Sequence, residues 1–122
     1  MIKVKEINWL SEFAKEAEVT ISDGTSMLTC FSQPFNYDVN DVLDQPLYCY
    51  DAKNVRKSFE EGFILENQND AFAYFFRGEL IDSIKKLVKV AGFMLSLEDN
   101  AIPKDLVDGD IIEFTVQRVD IY

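Results

Sequence analysis

The chain has 122 residues, the length of one domain, enough to bury a single core without disulfides or a structural metal. Twelve Lys and Arg against 22 Asp and Glu give a formal charge of −10, which disfavours a general nucleic-acid binder because phosphate neutralisation needs clustered cations. There is no His, so every mechanism built on an imidazole is excluded, and the 48% hydrophobic content excludes a wholly disordered chain.

The acidity is not a tail. Residues 1–61 carry six basic and eleven acidic side chains, and residues 62–122 carry six and eleven again. Much of the excess falls in two stretches, 38–51 and 98–113. No apolar run is long enough to span a membrane, and Met1-Ile2-Lys3-Val4-Lys5-Glu6 lacks the apolar stretch of a secretory signal. Cys30 and Cys49 lie in apolar runs without CxxC spacing. Two buried thiols in a reducing cytoplasm are expected, with a disulfide possible only if the strands that carry them are neighbours.

In chain order, Ile2 and Val4 alternate and then Ile7 and Trp9 alternate in the opposite phase, which predicts a strand with a bulge near Lys5-Glu6. Residues 11–17 read as a helical turn or a loop. Ala17, Val19 and Ile21 alternate, Asp23-Gly24 follows, and Met27 to Phe31 is apolar-rich, which predicts a hairpin with a type I′ turn. Pro34 ends the second of these strands, and residues 36–46 are polar and Asp-rich. A strand is expected from Leu47 to about Ala52, a short helix over Asn54–Glu61 closed by Gly62, and a solvated loop over Glu66–Asp70.

The segment 71–97 reads two ways. As strands, Phe72, Tyr74, Phe76, Gly78 and Leu80 share a face, Asp82–Lys86 is a tight connection, and a partner strand runs from Leu87 to Leu97 with a phase switch at Gly92. As a helix, Leu80, Ile81, Ile84, Leu87, Val88 and Ala91 follow the 3.6 period. Aromatic and β-branched density favours strands. Val107-Asp108-Gly109-Asp110 turns into a last strand, in which Ile112, Phe114 and Val116 face one way and Val119 and Ile121 the other, implying a bulge near Gln117-Arg118.

The sum is a mainly β domain over 1–122, with five or six antiparallel strands and at most two short helices. The bent strand of residues 2–22, the Asp23-Gly24 hairpin and the Val-Asp-Gly-Asp entry to residues 111–121 resemble an OB-fold, a small barrel with a bent first strand. The likeness is one of architecture, and other small barrels or sandwiches share it. If it holds, the second and third strands would form the ligand face.

Catalytic motifs are few. The five glycines are isolated, so there is no phosphate-binding or dinucleotide loop. Ser83-Ile84-Lys85-Lys86 matches Ser-x-x-Lys without the companion elements. Asp38, Asn40, Asp41 and Asp44 suggest a calcium loop, but Leu43 and Cys49 stand where an EF-hand needs Gly and Glu. No catalytic residue, metal ligand or cofactor is assigned. Tyr48, Tyr50, Lys53, Arg56 and Lys57 combine aromatics with a basic cluster and form a candidate ligand-binding set, although Asp51 on the face opposite the tyrosines argues for burying them. Lys85, Lys86 and Lys89 form a second basic island. Asp105, Asp108 and Asp110 form a candidate acidic face for a partner.

The function these features support first is a small, acidic, non-catalytic interaction domain of the bacterial-cytoplasm type, binding another protein, with no membrane association and an oligomeric state left open. The alternative is an OB-type binder of single-stranded nucleic acid or oligosaccharide. The third is a carboxylate-dependent hydrolase, which requires a cleft with a carboxylate of raised pKa.

Overall fold

The computed structural model describes residues 1–68 and 72–122. Among them there are twelve strands and no helix, so none is long and apolar enough to cross a membrane. The strands are β1 (Ile2–Ser11), β2 (Glu16–Ser22), β3 (Met27–Ser32), β4 (Val42–Leu43), β5 (Leu47–Tyr50), β6 (Lys53–Lys57), β7 (Ile64–Asn67), β8 (Tyr74–Asp82), β9 (Leu87–Val90), β10 (Phe93–Ser96), β11 (Ile111–Val116) and β12 (Arg118–Asp120). They form one sheet in the order β4-β1-β2-β3-β12-β5-β10-β9-β8-β11-β6, with β7 added to β8. The mainly β expectation holds. The five- or six-stranded closed barrel does not, because the hydrogen-bonded path ends at β4 and β6 and never closes. Nor is the sheet purely antiparallel: β10 runs parallel to β5, and β12 parallel to β3.

The sheet curls all the same, and the last stretch of chain explains how. Only Gln117 separates β11 from β12, yet β11 lies between β8 and β6 while β12 lies between β3 and β5. The Gln117 amide donates to the carbonyl of Tyr50 at 3.0 Å, fixing the point where the strand changes partners. A sheet whose two distant parts share one bent strand must wrap, as a phase slip in a long strand allows. The inner face carries the core: Val4, Ile21, Leu28, Phe76, Leu80, Val88, Phe93, Leu95, Phe114 and Val119 are fully buried. The bend in β1 is also where the phase slip places it, with a register shift between Val4 and Glu6. Residues 12–15 are a turn, with Lys15 at φ 54°.

Other expectations change. The Asp23-Gly24 hairpin forms, but Ser22 pairs with Met27, leaving a four-residue loop. Only Gly24 has positive φ there, so the turn is not type I′. Asp23 instead uses its carboxylate, with Oδ1 accepting from the amides of Thr25 and Ser26 and Oδ2 from that of Gly92. The helix over Asn54–Glu61 is absent. Residues 53–57 are β6, an edge strand with a single half-buried residue, Val55, and an edge exposed on both faces has no apolar alternation to read. Segment 74–97 is strand throughout its regular parts, and Tyr74, Phe76, Gly78 and Leu80 share the buried face as expected. The single partner strand expected from Leu87 to Leu97 is two strands, β9 and β10, and the phase switch at Gly92 is a two-residue hairpin between them: Val90 pairs with Phe93, and Ala91 has φ 52°. In the expected 66–70 loop, Glu66 and Asn67 belong to β7, and Asn69 and Asp70 lie outside the described residues.

The two cysteines sit on β3 and β5, with β12 between them. Two strand spacings are about 10 Å, beyond the reach of a disulfide. Both thiols are free and buried. Burial pushes both thiol pKa values up, reinforced by the nearby Asp120.

Candidate functional site

Strand register assembles the most chemically distinctive surface. β5 buries Leu47 and Cys49 and turns Tyr48 and Tyr50 outward, the reverse of the expectation drawn from Asp51. That residue lies beyond the strand in the left-handed region, at φ 55°, so it does not continue the alternation. Across the sheet, Asp120 of β12 faces Tyr48, Arg118 faces Tyr50, and Ser96 of β10 pairs with Tyr48 on the other side. Phe31 of β3 pairs with Asp120. Cross-strand partners project to the same side, so Phe31, Asp120, Tyr48 and Ser96 form one row on the outer face, and Arg118 and Tyr50 form the next.

Two loop segments raise walls on this row. After β10, the turn at Glu98-Asp99-Asn100 is pinned to β5 by Asn100. Its Oδ1 accepts from the Ala52 amide at 2.9 Å, and its Nδ2 donates to the Cys49 carbonyl at 3.1 Å. On the opposite side, the Ile121 amide donates to the Phe31 carbonyl and the Ser32 hydroxyl donates to the Ile121 carbonyl. These bonds hold Tyr122 beside Tyr48, with ring centroids 4.9 Å apart. The result is a cleft of about 430 Å³. Its walls carry three tyrosines (Tyr48, Tyr50, Tyr122) and four carboxylates (Asp51, Glu98, Asp99, Asp120), and no Lys or Arg lines it.

The floor is electrostatically organised. Asp120 is 6% exposed, and its Oδ1 accepts from Nε of Arg118 at 2.7 Å. The Arg118 guanidinium lies 4.3 Å from the Tyr50 ring centroid and 4.8 Å from that of Phe31. A cation held between two aromatic faces and a carboxylate is a strong local arrangement. Among the described residues, Glu98 and Asp99 form no ion pair, and Asp51 forms an exposed one with Lys53 at 3.5 Å. An adjoining hollow, sharing Tyr48, Ser96 and Glu98, is lined by Lys85 and Lys86 of the β8–β9 turn. The Lys86 ammonium is already committed to the Asn100 carbonyl at 2.7 Å.

The structure splits the expected ligand-binding set. Tyr48 and Tyr50 line the cleft, whereas Lys53, Arg56 and Lys57 lie on β6 and do not line it, Lys53 bordering it through Asp51, and each has a carboxylate partner. Lys53 pairs with Asp51, Arg56 with Glu113 at 3.0 Å, and Lys57 with Asp110 at 3.6 Å. Glu113 is the centre of a three-strand row, directly opposite Arg56 on one side and Arg77 on the other. It accepts from Arg77, Arg56 and Ser58, and Arg77 also pairs with Glu60. The Arg77 hydrogen bond, with further help from Ser58 and Arg56, holds the Glu113 carboxyl below the usual range against the opposing effect of burial.

The expected acidic face is also partly spent on structure. Asp108 accepts from the Ser83 amide at 2.7 Å, which lowers its pKa. Asp110 accepts from the Val107 amide and pairs with Lys57. Only Asp105 of the three is free of such a role among the described residues. In the Asp38–Asp44 stretch, Asp41 accepts from the Asp38 amide, a turn-forming use, and no group of three or more potential metal-binding side chains occurs among the described residues.

Glu98 and Asp99 stand out in the sequence only as part of the acidic 98–113 stretch, and Arg118, Asp120 and Tyr122 escape sequence reasoning as site residues. Nothing local marks them, because the row exists only once β12 inserts between β3 and β5. Comparison with known protein families, characterised proteins and solved structures finds no match to this chain.

Proposed function

We propose that this chain is a small, acidic, non-catalytic interaction domain that binds a basic segment of another protein in the tyrosine-walled cleft. The observation that carries the reading is the cleft's composition: four carboxylates and three tyrosines line it, and although Arg118 partners Asp120 and Lys53 partners Asp51, Glu98 and Asp99 have no ion-pair partner among the described residues. Such a surface attracts positive charge over distance and holds it at close range by cation–π and charge-assisted contacts. Tyrosine also supplies amphipathic contact area at low conformational cost. The net charge of −10 acts in the same direction.

The nucleic-acid alternative is not favoured, since the cations it relied on are each paired with a carboxylate. Two free buried thiols are compatible with a reducing compartment, and we place the protein in the cytoplasm on that basis. The reading is tested by titrating a basic peptide of mixed Lys and Arg into the protein at low salt. Binding should weaken with salt, and the double reversal Glu98→Lys with Asp99→Lys should reduce it about tenfold or more. Unchanged binding in that variant would remove the cleft from the account.

A further inference from the structure

Resting on that reading, we infer that the cleft selects a compact alkylammonium group, the side chain of lysine, over the guanidinium of arginine. The ground is the state of Asp120. The residue is 6% exposed, and Oδ1 is occupied by Arg118 Nε at 2.7 Å. No other hydrogen bond or ion pair to its carboxylate exists among the described residues. No buried side-chain oxygen is left without a partner in the described structure, so the unpartnered Oδ2 keeps some exposure, and Asp120 lines the cleft.

One free oxygen suits one kind of cation. A guanidinium gains its advantage from forked pairing with both oxygens of a carboxylate and from stacking flat on an aromatic face. At the floor of this cleft both are taken by the protein's own Arg118. It fills Oδ1 of Asp120 and covers one face of Tyr50 at 4.3 Å. An ammonium needs neither. It is a compact point charge with three freely rotating donors, able to meet the single Oδ2 while its remaining hydrogens face the walls. Those walls are the inclined pair Tyr48 and Tyr122, at 55° to each other, and the rim carboxylates Glu98 and Asp99. Arg118 is therefore both the support of Asp120 and the residue that sets the preference, by occupying the positions an incoming arginine would use.

The test compares capped tetralysine and tetra-arginine peptides by calorimetry or amide chemical-shift titration at low salt. Arginine peptides are ordinarily the stickier of the two on tyrosine-rich surfaces, so the expected order is a reversal, with tetralysine bound about fivefold or more tighter. Asp120→Asn should erase the difference by weakening tetralysine. Arg118→Leu should erase it the other way, by exposing Oδ1 and the Tyr50 ring and raising the affinity for tetra-arginine. Tyr122→Leu, at a residue too exposed to matter for folding, should lower tetralysine binding without altering the thermal transition. Equal or tighter binding of tetra-arginine by the native protein overturns the inference and leaves the cationic-partner reading standing. An unchanged preference in Arg118→Leu overturns the role given to Arg118. Failure of both peptides to bind the native protein at low salt overturns the functional reading itself.

Discussion

Arg118 donates through Nε to Oδ1 of Asp120 at 2.7 Å while its guanidinium lies against Tyr50 and Phe31. The two charged residues are separated by one inward-facing valine, Val119, so both project to the outer face of β12. Replacing Arg118 by Leu leaves a mostly buried carboxylate without its partner. The expected cost is about 1–3 kcal/mol in urea denaturation, and Asp120→Asn in the same chain should recover part of it. Full additivity of the two substitutions would show that the pair is not coupled.

Gly78 lies so close to β9 that it leaves no room for a side chain. A Cβ there would lie 2.3 Å from the backbone carbonyl oxygen of Lys89 and 2.7 Å from a Val90 methyl carbon. The β8–β9 pair would have to separate, so Gly78→Ala should cost about 3 kcal/mol or more, as overpacking does. Gly24 differs: nothing lies within 4 Å, but φ is 102°. Gly24→Ala should cost only the conformational strain, about 1 kcal/mol. Thermal melts of the two variants check the order, and equal losses would contradict it.

Strands with regular alternation are legible in the amino-acid order alone. Ile2-x-Val4 giving way to Ile7-x-Trp9 locates the bend in β1, and the slip at Gln117-Arg118 locates the change of partners between β11 and β12. Tyr74 through Leu80 reads as a strand because one face is buried along its whole length. What is not legible has a common cause. β6 lies at an edge and pairs on one side only, so Lys53–Lys57 needs no apolar period. The chain reversal at Ala91-Gly92 produces the same phase switch as a bulge. Tyr48 and Tyr50 are one half of the cleft, but the other half comes from residues 96–100 and 118–122, brought there by a parallel pairing and an inserted strand that local patterns do not encode.

Acid should loosen the β6–β11–β8 row. The Glu113 carboxyl is held below its usual range chiefly by Arg77, so it binds protons less readily in the folded than in the unfolded chain. Its stabilising contribution is complete above the unfolded value of about 4.3 and is lost as pH falls through the lower folded value. Asp23 acts in the same direction, its burial outweighed by amide hydrogen bonds from Ser26, Thr25 and Gly92. Glu113→Gln should therefore lower stability at neutral pH and flatten the decline on acidification. An acid profile identical to that of the native protein would refute the assignment.

Cys30 and Cys49 should be unreactive while the protein is folded. Both are buried, and burial raises their thiol pKa values, so neither offers a thiolate to an aromatic disulfide reagent. Two thiols should titrate in denaturant, and in native buffer the labelling rate should follow the opening of the structure. Rapid labelling of either cysteine under native conditions would mean that the β3–β12–β5 region opens far more easily than its packing implies.

The central claim, that the cleft beneath Tyr48, Tyr50 and Tyr122 takes a cation, is tested most directly by mapping amide chemical shifts while tetralysine is titrated at low salt. The account predicts perturbations concentrated at Tyr48, Tyr50, Ser96, Glu98, Asn100 and Asp120, saturating with peptide and fading as salt is raised. Perturbations centred instead on Asp105–Asp110, or no perturbation at all, would contradict it.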